Sequence, residues 1–468
     1  MATPNTERKS PSTQLVVIFL LWKTLLHVLT TFCPGPGYDT SALILVEPSV
    51  KRHVNFSVAS WSDRLALNLF RWDSLYFIKA AERGKYHEQE WAFSWAYSWL
   101  LDYVGQCTVD IQMDLNGGSK PALRQYLMTG IVVSNVCHLL SVLALYQLLT
   151  ITVDPRRKHR VAFIGAVLHV MNPASLFLSS PYAEAPFSLL NITGMLLYTR
   201  SRIRAQTQQP SLREDAYKLG SGIFFGFATL MRGNGLLSGL ILLYDVARYL
   251  PRVFSMRLTL HDMRRIVVTC VAGSVVALGF IWPQYLAYTE YCTGDRSVGS
   301  PPWCKKTIPS IYSWVQSHYW NVGLFRYWTL PNVPLFVIAA PMLWLLLVSS
   351  GTVLCSPLKP LLHGRPVPQH GATSDPIETS ATAHYVPELA LPQFVLAVAA
   401  IVSFHVQIVN RLASGYPTWY LMVATWLVDD SATSGCSKPQ RQSRWIVRGM
   451  ISYAIAQGML FANFLPPA

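Results

Sequence analysis

The chain reads as an all-α protein that crosses a membrane many times. Of its 468 residues, 51% are hydrophobic and only 13% charged, against about 25% charged in an ordinary soluble domain. Fifteen Trp, 22 Tyr and 20 Phe add the aromatic load of proteins anchored at a lipid–water boundary. About eleven apolar segments of helical length recur along the sequence. Together these features exclude a disordered chain, a coiled coil and an ordinary cytosolic enzyme.

The elements follow in order. A polar start at 1–14 precedes an apolar run over 15–33, long enough for a hydrocarbon core of about 30 Å. CPGPGYDTS follows it rather than a small-residue cleavage site, so the run is expected to stay as a signal-anchor with the N-terminus cytosolic. A long polar segment, 34–120, comes next. The bundle over 121–354 holds apolar segments at 122–150, 161–178, 182–200, 218–231, 235–250, 266–289 and 331–350, and encloses a polar loop at 290–330. Two of these, 218–231 and 235–250, are short for full crossings and flank MRGNG, the pattern of a broken or re-entrant pair. The stretch 355–386 is rich in Pro, Ser, Thr and Gly and reads as a flexible cytosolic loop. Segments 388–408, 412–428 and 446–464 complete the C-terminal part, 387–468.

Lys and Arg set the orientation. Basic clusters lie in DPRRKHR (154–160), over 199–218, at Arg252, Arg257, Arg264 and Arg265, and in KPQRQSRWIVR (438–448). All four fall on the cytosolic side of these segments. They account for the net charge of +14 without a nucleic-acid partner, and none is expected. The opposite, luminal face receives segment 34–120, the NPASLFLSSPY turn, MRGNG, loop 290–330 and the HVQIVNR corner. Asn55 heads a glycosylation sequon on that face, whereas the sequon at Asn191 lies in an apolar run and is expected to be inert. Cys292 and Cys304 bracket a luminal loop, as a disulfide or as two thiols. No CxxC and no Cys/His cluster has zinc spacing.

Transporters usually keep loops short and place ionisable groups inside the spans; here the largest polar segment is the luminal one at 34–120. Within it Trp61, Leu65, Leu69, Trp72 and Tyr76 share one helical face, so an amphipathic helix is expected flat in the headgroup layer. HEQEWAFSWAYSW (87–99) continues the aromatic belt. Asp73 sits beside that stripe, between Trp72 and Ser74. Two readings compete for it: a general base for a sugar hydroxyl, or an N-cap for the helix SLYFIKAAE. Arg232 and Arg411 either contact phosphate bidentately or reach up to the interface. Glu184 needs an Arg or His partner at the membrane boundary.

PGPGYDTS (34–41), RWDSLYFIKAAERGKYHEQEWAF (71–93), NPASLFLSSPYAEAPFSLL (172–190), MRGNG (231–235), HVQIVNR (405–411) and QGMLFANFLPPA (457–468) resemble, in order, the PIG-V-type mannosyltransferases of glycosylphosphatidylinositol (GPI) anchor assembly. The resemblance implies a GT-C glycosyltransferase fold in the endoplasmic-reticulum membrane with a luminal active site. It implies dolichyl phosphate mannose as donor and the GPI precursor glycolipid, in membrane lipid, as acceptor. The second mannose is then added in α-1,6 linkage with inversion, and fungal-type members imply a small membrane partner subunit.

Inversion by a single displacement needs one base, for which Asp73 is the candidate, and donors for the departing phosphate. Arg232, Asn234, His405, Gln407 and Arg411 are candidates for the latter, with Arg71, Trp72, Glu88, Glu90 and Glu184 as further substrate contacts. A monophosphate leaving group needs less neutralisation than a diphosphate, and no Asp-x-Asp occurs in 34–120. No metal or cofactor is therefore expected. Another dolichyl-phosphate-mannose-dependent transferase is the nearest rival, and a polytopic lipid transporter a more distant one.

Overall fold

The computed structural model describes residues 10–34, 60–113, 123–206, 211–293, 301–355, 386–432 and 440–463. Asn55, most of PGPGYDTS, the 355–386 loop and the FLPPA ending lie outside the described residues. The described part is helical throughout, in the order α1 (Pro11–Phe32), α2 (Trp61–Leu69), α3 (Asp73–Arg83), α4 (Trp95–Met113), α5 (Leu123–Thr152), α6 (Lys158–Val170), α7 (Glu184–Ala205), α8 (Leu212–Met231) and α9 (Gly239–Ala247). There follow α10 (Leu250–Phe254), α11 (Leu260–Tyr288), α12 (Ile311–His318), α13 (Val333–Cys355), α14 (Leu391–Val402), α15 (Val409–Leu412), α16 (Thr418–Ala432) and α17 (Gln440–Ala462).

Every apolar segment read from the sequence carries helix, but among the described residues five helices are by themselves long and apolar enough to cross a bilayer: Pro11–Phe32, Leu123–Thr152, Leu260–Thr293, Leu330–Cys355 and Ser443–Ala462. The others are short or carry charge near their ends. At 1.5 Å per residue the 13 residues of α6 reach only about 20 Å, and α7 holds Arg200, Arg202 and Arg204. Such helices remain stable because they pack among others. The most extensive helix–helix packing is that of α7 with α8, α8 with α11, α5 with α7, and α5 with α6.

Small residues set the α8–α11 approach. A Cβ on Gly279 would lie 2.4 Å from the Gly226 carbonyl oxygen, and one on Gly222 2.7 Å from Ala272. Gly222 and Gly226 are one helical turn apart, the arrangement that lets membrane helices meet backbone to backbone. Beyond Met231 the chain turns back through Arg232, and Lys218 of α8 pairs with Asp245 of α9, closing the base of the helical hairpin expected around MRGNG.

Ion pairs draw the basic clusters to one end. Arg157 meets Asp429, Arg264 meets Asp215 and Arg265 meets Glu214, and Arg202 meets Glu388. The far end carries the aromatic and acidic segments. There the sequon residue Asn191 is fully buried, donating to the Gly415 carbonyl and accepting from Ser238. Cys292 and Cys304 form a disulfide.

Two local expectations change. The amphipathic stretch around 61–76 is two helices rather than one, broken at Phe70–Trp72, where Trp72 adopts φ 52°. The NPASLFLSSPY turn is sealed: Asn172 through Glu184 are buried without a gap. Buried irregular backbone needs internal partners, and Lys23 of α1 supplies one, donating to the Leu178 carbonyl and the Ser179 hydroxyl.

Candidate active site

The break before α3 places Asp73. Trp72, not Asp73, is the N-cap residue, and Asp73 occupies the first helical position. A non-glycine residue at positive φ costs on the order of 1–3 kcal/mol and persists only where its surroundings impose it. Tyr182, fully buried in the sealed turn, imposes it here: its hydroxyl accepts the Asp73 backbone N–H at 3.1 Å and donates to the Arg71 carbonyl at 3.0 Å. The Asp73 side chain is consequently free of capping and faces another element. Arg411 Nη1 donates to its Oδ2 at 2.7 Å, across 338 residues of sequence.

Arg411 is the centre of a charged group. Its Nε lies 3.4 Å from Glu184 Oε1, and Arg232 Nη1 reaches the same oxygen at 2.6 Å. The Arg411 guanidinium stands over the rings of Phe177 and Tyr182, 5.3 and 5.7 Å from their centroids. The Glu184 side chain is 1% exposed, and those of Arg411, Arg232 and Asp73 are 12%, 18% and 25% exposed. Two carboxylates alternate with two arginines, so the group is neutral as a whole and opens to solvent at the Asp73 side. The partner that burial of Glu184 demands is thus a pair of arginines.

Sequence-distant elements position these groups for identifiable reasons. Arg232 ends α8, and the following turn fits because Gly235 lies against the helix backbone: a Cβ there would sit 2.5 Å from the Thr229 nitrogen. Asn234 donates to the Tyr416 hydroxyl at 3.0 Å and so ties that turn to the segment that follows the HVQIVNR corner. Gln407 accepts from Tyr327 at 3.1 Å, and His405 donates to the Trp320 carbonyl at 3.1 Å.

The remaining candidates have their polar groups engaged elsewhere. Arg71, 2% exposed, donates to Asn68 and, through Nε and Nη2, to the Ala462 carbonyl at the end of α17. Glu90 takes Arg83 and the backbone N–H groups of Tyr86 and His87, closing its own loop. Glu88 accepts from the Trp303 and Trp314 indoles and the Tyr319 hydroxyl, joining the first polar segment to loop 290–330. Among the named candidates the structure therefore brings Asp73, Glu184, Arg232 and Arg411 together, with Trp72 adjoining Asp73 and Asn234 in the turn after Arg232, while His405 and Gln407 bond to Trp320 and Tyr327. Tyr182 was not singled out from the sequence, and only its place in SSPY beside the motif residues signals it.

The family model described as Mannosyltransferase (PIG-V) matches residues 12–468. A GPI mannosyltransferase 2 of Aspergillus oryzae is 37% identical over all of this chain and 99% of its own length. Another, from Aspergillus fumigatus, is 38% identical over 98% of this chain and 94% of its own. A solved archaeal oligosaccharyltransferase of Archaeoglobus fulgidus, in complex with an inhibitory peptide and a dolichol-phosphate, aligns with 97% of this chain and 56% of its own at 12% identity and a TM-score of 0.47.

Proposed function

The chain belongs to the PIG-V mannosyltransferase family, and we propose that it adds the second mannose of the GPI precursor at the luminal face of the endoplasmic-reticulum membrane. Dolichyl phosphate mannose is the donor, the 6-hydroxyl of the first GPI mannose the nucleophile, and the product linkage α-1,6. A small membrane partner subunit belongs to the same reading. The observation that supports it best is Asp73 held 2.7 Å from Arg411 beside the Glu184–Arg232 pair: a base and two cations within one half-buried group.

In this reaction the acceptor oxygen forms a bond to the anomeric carbon as the bond to the phosphate oxygen breaks, with inversion and no covalent intermediate. Asp73 takes the hydroxyl proton and later releases it to solvent. Dolichyl phosphate leaves as an anion, and Arg411 and Arg232 face it with preorganised N–H donors. No metal is assigned: once Asp73 holds the proton, the two arginines face one remaining carboxylate, and the surplus positive charge meets the departing monophosphate. Arg411 serves two anions in turn: an arriving phosphate competes with Asp73 for its guanidinium, and donor binding thereby frees the base. Glu184 holds the Arg411 guanidinium in place while its other face exchanges one anion for the other.

Incubating the purified protein with dolichyl phosphate mannose and a one-mannose GPI acceptor tests the proposal. Asp73→Asn is expected to lower turnover by about 10²–10⁴, the contribution of a positioned base. An Asn variant that is folded and works at the wild-type rate removes Asp73 from this role, and transfer to an N-glycan precursor instead overturns the assigned step.

A further inference from the structure

Asp73 and the two arginines account for proton and phosphate but give the acceptor sugar no surface to lie on. Such a surface begins one helical turn beyond Asp73. Tyr76 stacks on Phe93 with ring centroids 4.4 Å apart and planes 13° from parallel. Phe93 meets the edge of Trp320 at 5.4 Å, and the Trp320 carbonyl receives His405. The His405 ring then packs on Tyr327 at 4.8 Å. All five side chains are half-buried, although rings of this size gain by complete burial where nothing else is asked of them.

The wall is held rigidly from outside. The Glu88 contacts with Trp303, Trp314 and Tyr319 fasten the segment just before Trp320 to the first polar segment. After Trp320, the Gly323 and Phe325 amides donate to the Ser403 and Val402 carbonyls at the end of α14. Three distant parts of the chain thus converge to keep one row of rings fixed beside Asp73.

We propose that Tyr76, Phe93 and Trp320 form the platform for the acceptor hexose, its apolar C–H face against the rings and its attacking hydroxyl toward Asp73. This rests on the mannosyl-transfer reading and assigns the acceptor side of that site. Charge separates the two substrates. The donor's phosphate belongs with Arg411 and Arg232, whereas the wall presents rings, and the charges behind it are engaged with the protein: Glu88 with the Trp303 and Trp314 indoles, Lys85 with the Phe93 carbonyl. A neutral pyranose suits such a surface. In-line displacement also requires acceptor and leaving group on opposite sides of the reacting carbon.

The test is two-substrate kinetics on Trp320→Leu and Trp320→Phe. The Leu variant is expected to raise the acceptor KM about 3- to 10-fold, the size of one aromatic contact, with donor KM unchanged, and the Phe variant to restore most of the loss. Unchanged acceptor KM in the Leu variant, or a rise in donor KM alone, overturns the assignment. If Trp320→Leu does not fold, Tyr76→Leu carries the same readout. Failure of the wild-type protein to mannosylate the one-mannose acceptor at all would strike the underlying reading, a separable result.

Discussion

Tyr182→Phe removes one oxygen and leaves the ring that supports Arg411. That oxygen bridges the two sides of the turn at Trp72, accepting from Asp73 N and donating to Arg71 O. The Arg71 carbonyl keeps a second donor, the Ser74 hydroxyl at 2.6 Å, so the main loss falls on the Asp73 amide. An unsatisfied buried amide costs about 1–3 kcal/mol, comparable with the strain of about 1–3 kcal/mol stored at a positive-φ residue. The two together favour relaxation of the turn, which swings the first residue of α3. A displacement of about 1 Å at a reacting group lowers rate by about 10². The expected outcome is therefore a kcat about 10²-fold lower with donor KM little changed, because Arg411, Arg232 and the ring beneath them remain. Initial rates of mannose transfer, with each substrate varied, give the split. A Phe variant whose kcat stays within about twofold of wild type would show that the turn holds itself and that Tyr182 is packing alone.

Glu184→Gln leaves two arginines sharing one carboxylate; single-turnover transfer should fall about tenfold or more, since breaking a buried pair costs about 3–5 kcal/mol, with Glu184→Asp recovering part, and an unaffected Gln variant would sever Glu184 from the site. Gly279→Val forces a side chain onto the Gly226 carbonyl, 2.4 Å from its Cβ position; overpacking of about 1–3 kcal/mol should lower Tm in detergent, and an unchanged Tm would mean that α8 and α11 part freely. Burial pushes the Lys85 ammonium down to about 7, where it donates to the Glu90 and Phe93 carbonyls. Between pH 7 and the ordinary lysine value of about 10.4 the unfolded chain holds a proton that the folded one lacks. Stability of the 83–93 segment should accordingly rise with pH above 7 and be flat below it. Limited proteolysis across that range reads the slope; Lys85→Met should abolish it, and an identical slope in the variant would assign it to another group.

Much of the architecture was legible from residue types. Low charge and recurring apolar segments give a helical membrane protein, and the clustering of Lys and Arg gives a basic end, where Arg157, Arg264 and Lys218 are found in ion pairs. Periodicity was less informative at 61–76, because an apolar stripe continues through a backbone break that it does not sense; the break depends on Tyr182, 110 positions from Trp72. Desolvation required a cation for Glu184 without saying which one. Proximity in sequence to Asp73 made Arg71, Glu88 and Glu90 equal candidates, yet Arg71 donates to the last turn of α17 and both glutamates are taken by loop contacts. Trp320 carries no local signature, since nothing in YWNVG distinguishes it from any interfacial tryptophan.

The sequence alone determined the solvent in which this chain folds and the stock of charged side chains at each end, because both follow from composition and from the cost of placing charge in hydrocarbon. Which of those charges remain available for chemistry was decided only by the tertiary structure. Electrostatic attraction in a poorly screened interior depends on separation in space, and the partners that matter, Asp73 with Arg411 and Glu184 with Arg232, are brought within reach solely by helix packing.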